Sequence, residues 1–261
     1  MSRPLRKEFP GAIYRVTSRG DGREPIYVDD EDRVAFPDVL GSAMNRFDAQ
    51  VLDYREMDHH HHLVLHTRRA NLSWLMRQIN GFYTQTFNRR HGLIGHLFQG
   101  RFEAILVDRD AYLLTLCRYV EHNPVAAAIV ATAQAWPWSS FRAHACEVPT
   151  PPWLDSDGLH GYVLGRPVEN ARGRERAARR YVTLVDRAGE DEPSIWLEGL
   201  RQQVFIGDDA FIPRVQALIE GQSPTPEVPK TQRKRPGTLK TCLELHADRM
   251  QALRAAYREC A

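Results

Sequence analysis

Cysteine is scarce in this chain and badly spaced for joint chemistry. The four cysteines, Cys117, Cys146, Cys242 and Cys260, include no C-x-x-C pair. Neither a zinc knuckle nor a disulfide framework is indicated, and a reducing compartment fits. Long apolar runs are missing as well: none approaches the ~20 residues of a membrane span. The N-terminus, Met1-Ser2-Arg3-Pro4, lacks the apolar core of a signal peptide. These absences give the expectation of a cytoplasmic protein with no membrane partner. Charge of one sign does not dominate either: the net charge is +2, too small to select a partner. What is present, 43% hydrophobic and 26% charged residues in a chain of 261, is globular composition, with room for one or two domains and a sizeable core.

Charge is more informative locally. Seven arginines fall between Arg68 and Arg109, opposed only by Glu103 and Asp108. Such a patch suits phosphate, although a solvated surface gives the same count.

Periodicity divides the chain. Residues 11–18 alternate and carry β-formers, which predicts a strand, and Arg19-Gly20-Asp21-Gly22 a turn. Asp30 is a candidate N-cap for a helix to about residue 47. Residues 50–57 and 60–67 read as two strands of a hairpin. Asn71 can cap a helix to about residue 88, residues 102–107 read as a fourth strand, and Asp110 opens the next helix. The order strand-helix-strand-strand-helix-strand is ferredoxin-like: an α+β fold, an antiparallel sheet with helices on one face. From about residue 149 the texture turns helical, with helices expected over 154–164, 170–187, 195–205 and 208–220. A proline-rich basic linker and a last helix are expected over 221–261. The expected organisation is therefore 1–148, 149–220 and 221–261.

The run Met57-Asp58-His59-His60-His61-His62-Leu63 carries the most chemistry. Successive strand side chains alternate in direction, so His60 and His62 share a face, about 6.6 Å apart along the strand. Two imidazoles so placed can grip one metal ion, and a polar strand end is the competing explanation. His61 points the other way, alongside Leu63 and Leu65, as a neutral, hydrogen-bonded core histidine, and His59 belongs to the turn. In the helix after the fourth strand, Tyr119 and Asn123 are four residues apart and share a face. A tyrosine hydroxyl, two imidazoles and an amide oxygen could then converge, and a metal there would polarise a phosphate oxygen while the tyrosine attacks phosphorus. The competing explanations are that Tyr119 packs in the core and that Asn123-Pro124 starts a helix, as N-cap and first residue. Tyr83 and Tyr112 are rival nucleophiles. Tyr83 lies on an apolar stripe, and Tyr112 has Leu116 where an amide would be needed. His60, His62 and His66 share strand parity, which leaves a zinc hydrolase as another reading.

Several segments together resemble the REP-associated tyrosine transposases, relatives of the single-tyrosine transposases of small insertion sequences. They are residues 3–20, Met57 to Leu63, Tyr83-Thr-Gln-Thr-Phe-Asn-Arg-Arg-His-Gly92, Gly95-His-Leu-Phe-Gln-Gly-Arg-Phe102, Tyr119-Val-Glu-His-Asn-Pro-Val125 and Trp136-Pro-Trp-Ser-Ser140. They occur in family order over about residues 3–145. The resemblance implies a nucleic-acid nicking and joining enzyme of the HUH class. It implies His60 and His62 as metal ligands, Tyr119 as nucleophile, Asn123 completing the metal site, Mg²⁺ or Mn²⁺ as cofactor, and single-stranded or hairpin DNA as partner. A nucleoid-associated location and a possible homodimer follow. Arg89, Arg90 and Arg101 read as contacts to DNA phosphates.

The chain departs from the family pattern at His61, normally hydrophobic, at His59, and at His122 and Ala126, where relatives carry leucine and arginine. A C-terminal helix-turn-helix, found in long relatives after a segment like 249–258, is not expected here. These departures keep open a second reading, a domesticated DNA-binding protein with weakened catalysis.

Overall fold

The computed structural model describes residues 7–187, 200–201, 205–207 and 210–219. Chain contacts separate Met1–Gly221 from Gln222–Ala261, and only the first unit contains described residues. The expectation for 221–261 therefore lies outside them.

Strand β1 (Ala12–Arg19) is followed by α1 (Asp30–Phe47), β2 (Ala49–Met57), β3 (His60–Thr67), α2 (Leu72–His91), β4 (Glu103–Val107) and α3 (Arg109–Ala126). A short α4 (Phe141–His144), α5 (Ser156–Leu164), α6 (Ala171–Asp186), the two-residue strands β5 (Leu200–Arg201) and β6 (Phe205–Ile206), and α7 (Phe211–Ile219) complete the described part. Local chemistry explains the boundaries. Asp29, one residue earlier than expected, caps α1 by accepting from the Asp32 amide at 3.0 Å, and Asp30, Glu31 and Asp32 lie in the positive first turn. Asp108 caps α3 in the same way. Asn71 precedes α2, but its side chain donates to the Phe47 carbonyl at 2.8 Å and accepts no bond from the helix amides. Asn123-Pro124 starts no helix: both residues lie inside the last turn of α3.

The sheet order is β2-β3-β1-β4-β6-β5. The first four strands form the ferredoxin-like antiparallel core. Beyond them the sheet becomes mixed, because β6 adds parallel to β4 through Leu106↔Phe205 and Val107↔Ile206. The helix expected over 195–205 is not what the described residues there form: Leu200–Arg201 and Phe205–Ile206 pair as strands.

Both faces of the sheet are covered. Tyr14 and Val16 of β1 and Leu63 and Leu65 of β3 pack with α1 and α2. The alternate residues, Ile13, Val64 and Val107, pack with Leu113, Leu116, Cys117 and Val120 of α3 and with Leu159, Tyr181 and Val185 of α5 and α6. A one-sided sheet would leave Val64 and Val107 in water, so α3, α5 and α6 occupy the face that the ferredoxin-like expectation leaves open. The outer edge of β2 is closed by loop backbone: the Glu56 amide donates to the Trp138 carbonyl at 2.9 Å and the Asp155 amide to Val51 at 2.8 Å. An edge paired in this way offers no template for another strand.

Candidate active site

The β1–β3 register sets Arg19 opposite His60 and Thr17 opposite His62. On the face covered by α3, the His60 and His62 rings stand edge to face with centroids 4.8 Å apart. Thr17 Oγ1 lies 2.9 Å from His62 Nδ1 and fixes that ring. His60 Nδ1 is buried without a hydrogen-bond partner. Burial, followed by the nearby His59, Arg19 and Arg15, lowers the His60 pKa to about 4, and burial and Arg15 lower His62 well below the usual imidazole range. Both rings are therefore neutral at pH 7, the form that ligates metal.

Tyr119 completes the group from above. Its ring is 6.4 Å from that of His62, and the Arg15 guanidinium lies 5.3 Å from its centroid. It is half-buried. Asn123 is one helical turn further along α3 and also half-buried. A divalent ion fits the donor chemistry here: two neutral imidazoles, one with an uncommitted buried nitrogen, and an amide oxygen within a turn of the tyrosine. Imidazole favours Mn²⁺ over Mg²⁺, which prefers oxygen donors.

The other sequence-derived candidates separate. His61 is fully buried on the opposite face, 4.5 Å from the Phe36 ring, with Nδ1 3.4 Å from Tyr27 Oη. His66 cannot join His60 and His62: four residues beyond His62 is about 13 Å along the strand, with buried Val64 between them. That geometry removes the three-histidine zinc site. Tyr83 donates to the Ile26 carbonyl at 2.7 Å inside the other core layer. Phe98 is buried against His61 and Tyr83, and His96 is exposed.

The arginine patch does not survive as one surface. Arg68 and Arg69 pair with Asp48, Arg109 with Asp110, and Arg77 lies over Trp74. Arg90 is engaged by Asp29, Glu31 and Asp32, whose carboxylates neutralise it. His91 joins that group, and Asp29, Asp32 and His91 present atoms with metal-like spacing, but the Arg90 guanidinium already occupies them. Arg89 and Arg101 are exposed.

Sequence reasoning missed Arg15, Thr17, Arg55 and Glu121. Arg55 sits opposite His62 on β2, fully buried, and pairs with the equally buried Glu121 of α3. The signal for Arg15 and Thr17 was available: they share parity with Ile13, a core residue, and so face the histidines once β1 is paired with β3.

Residues 10–123 match the family model described as transposase IS200 like. No curated protein matches the chain. Among solved structures, a REP-associated tyrosine transposase bound to a REP hairpin is similar, with 17% identity and a TM-score of 0.49 over 58% of this chain and 89% of that one.

Proposed function

We propose, from the match of residues 10–123 to the IS200-like transposase model, that the protein nicks and rejoins single-stranded DNA through a covalent phosphotyrosine. One observation carries the reading: Tyr119 and the His60–His62 pair share one face of one sheet within a single chain, with the Tyr119 and His62 rings 6.4 Å apart. The Tyr119 oxygen attacks phosphorus, the P–O3′ bond breaks, and the pair of electrons leaves on the 3′ oxygen. The tyrosine proton passes to solvent and the 3′ oxygen takes one up, so the step is balanced and reversible by the same hydroxyl. Arg15, beside the Tyr119 ring, places a fixed positive charge where the phosphate must sit. His60, His62 and Asn123 would hold Mg²⁺ or Mn²⁺. Such an ion supplies Lewis acidity at a non-bridging phosphate oxygen. Arg89 and Arg101 remain candidates for contacts to DNA phosphates, whereas Arg90 would have to leave three carboxylates to make one. The substrate class is single-stranded DNA with a hairpin, as the family resemblance implies. A homodimer is not required to assemble the site.

With a labelled single-stranded hairpin and Mn²⁺, the protein should give an adduct that survives SDS, and Tyr119→Phe should give none. Binding of the same DNA without adduct under any divalent metal would overturn the enzyme reading and leave a DNA-binding protein.

A further inference from the structure

Helix α6 presents two different faces. Ala177, Ala178, Tyr181 and Val185 are buried, and Tyr181 and Val185 join the core layer that holds α3. The outer face carries Arg176, Arg179, Arg180 and Arg187, which together with Arg118 of α3 line a cleft of about 520 Å³. The rest of the lining is Thr183 and Leu184, with no carboxylate and no aromatic ring.

Based on the transposase reading above, we infer that this five-arginine cleft between α3 and α6 binds the sugar–phosphate backbone of the DNA strand that passes Tyr119. Charge is the first argument. Among the described residues no carboxylate pairs with Arg176, Arg179, Arg180 or Arg187, whereas Arg174 of the same helix is held by Asp157 at 2.7 Å. Like charges three and four residues apart destabilise a helix, so the fold gains nothing from leaving them together. Ligand chemistry is the second. The guanidinium fork binds phosphate oxygens in bidentate fashion and is charged at every working pH. The third is shape. Residues 176 to 187, within α6 and its C-cap, span about 16 Å, enough to reach more than one phosphate of a strand. A lining without aromatic rings lacks the usual platform for stacking bases, which favours backbone over base recognition. Position is the fourth, because Arg118 neighbours Tyr119 in α3, which brings the cleft to the adjoining side of the helix that carries the tyrosine. Residues 171–187 lie outside the segment matched by the family model, 10–123, so four of the five arginines come from beyond it and only Arg118 from within it.

The test is fluorescence anisotropy of the full-length chain with a labelled hairpin oligonucleotide carrying single-stranded flanks, over a range of salt. R179Q/R180Q should weaken binding about tenfold or more, to a similar degree for unrelated flank sequences. It should also flatten the slope of log affinity against log salt by about 1.4, at roughly 0.7 per single-strand phosphate contact. R179K/R180K should keep the slope. R176Q/R187Q provides a second pair should the first fail to fold, and circular dichroism checks both. Wild-type affinity and slope in both glutamine pairs would overturn the cleft while leaving the transposase reading intact. No DNA binding by the wild type would overturn both. Arginine-dependent binding to phosphatidylserine vesicles with an unchanged DNA slope would overturn the cleft in favour of a lipid surface.

Discussion

The hydroxyl of Ser140 has one proton and three oxygen neighbours: an Asp53 carboxyl oxygen, Glu121 Oε1 at 3.0 Å and the Tyr54 carbonyl at 3.3 Å. It cannot donate to all of them. Burial, reinforced by the adjacent Glu121 carboxylate, pushes the Asp53 pKa well above the usual carboxylate range. Glu121 is left to balance Arg55, and both are fully buried. This pair ties α3, and with it Tyr119, to the strand next to His62. Removing one partner strands a buried charge and costs about 3–5 kcal/mol, whereas replacing both by apolar residues of similar volume costs little. Urea unfolding should therefore show Glu121→Gln strongly destabilised, and Arg55→Met with Glu121→Leu recovering most of the loss. A double variant as unstable as the single one would mean that the charges contribute through something other than each other. The shared face of His60 with His62, and that of Tyr119 with Asn123, were legible because strand parity and helix spacing are local. Arg55 and Glu121 are 66 residues apart, and a charged residue read singly looks like a solvated one.

Between elements, one glycine does work that helix propensity would never assign to it. Gly41 lies within α1, where alanine should be better by about 1 kcal/mol, yet a Cβ there would stand 2.6 Å from Trp153 Cδ1. Trp153 sits over the edge of β2, its ring 5.5 Å from Tyr54, and its carbonyl accepts from the Val51 amide at 3.3 Å. α1 can approach that loop only without a side chain. Gly81 of α2 has no heavy atom within 4 Å of its missing Cβ. Gly41→Ala should lower the melting temperature and Gly81→Ala should raise it by a few degrees; equal shifts would show that the Trp153 contact yields freely. The first four strands and their helices were readable for the reason that Gly41 was not. Each is specified by its own periodicity, whereas the Trp153 contact and the β4–β6 pairing join segments about a hundred residues apart. Leu200–Arg201 and Phe205–Ile206 are too short to display a period of their own.

For the molecule as a whole, the second layer makes stability depend on acid. α4, α5 and α6 meet around His144, which is fully buried, with Nδ1 2.8 Å from Ser156 Oγ and its ring 5.2 Å from Tyr181. His160 approaches from α5, its Nε2 2.8 Å from the His144 carbonyl. Burial, followed by His160, lowers the His144 pKa to about 3. An unfolded histidine titrates near 6.5. As pH falls below 6.5 the unfolded chain takes up a proton that folded His144 refuses until about pH 3. Stability due to this group is thus complete above 6.5 and declines by up to ~1.4 kcal/mol per pH unit below it. Asp53 and Glu56, whose pKa values are raised by burial, act in the opposite direction, so the total profile mixes signs. Comparison with His144→Gln removes the mixture, because every other group is common to both proteins. At pH 7 the variant should be the less stable, and by pH 4.5 the gap should have closed by about 2–3 kcal/mol. Chemical denaturation at the two pH values measures it, and a gap that stays constant or widens would place the acid sensitivity elsewhere in the fold.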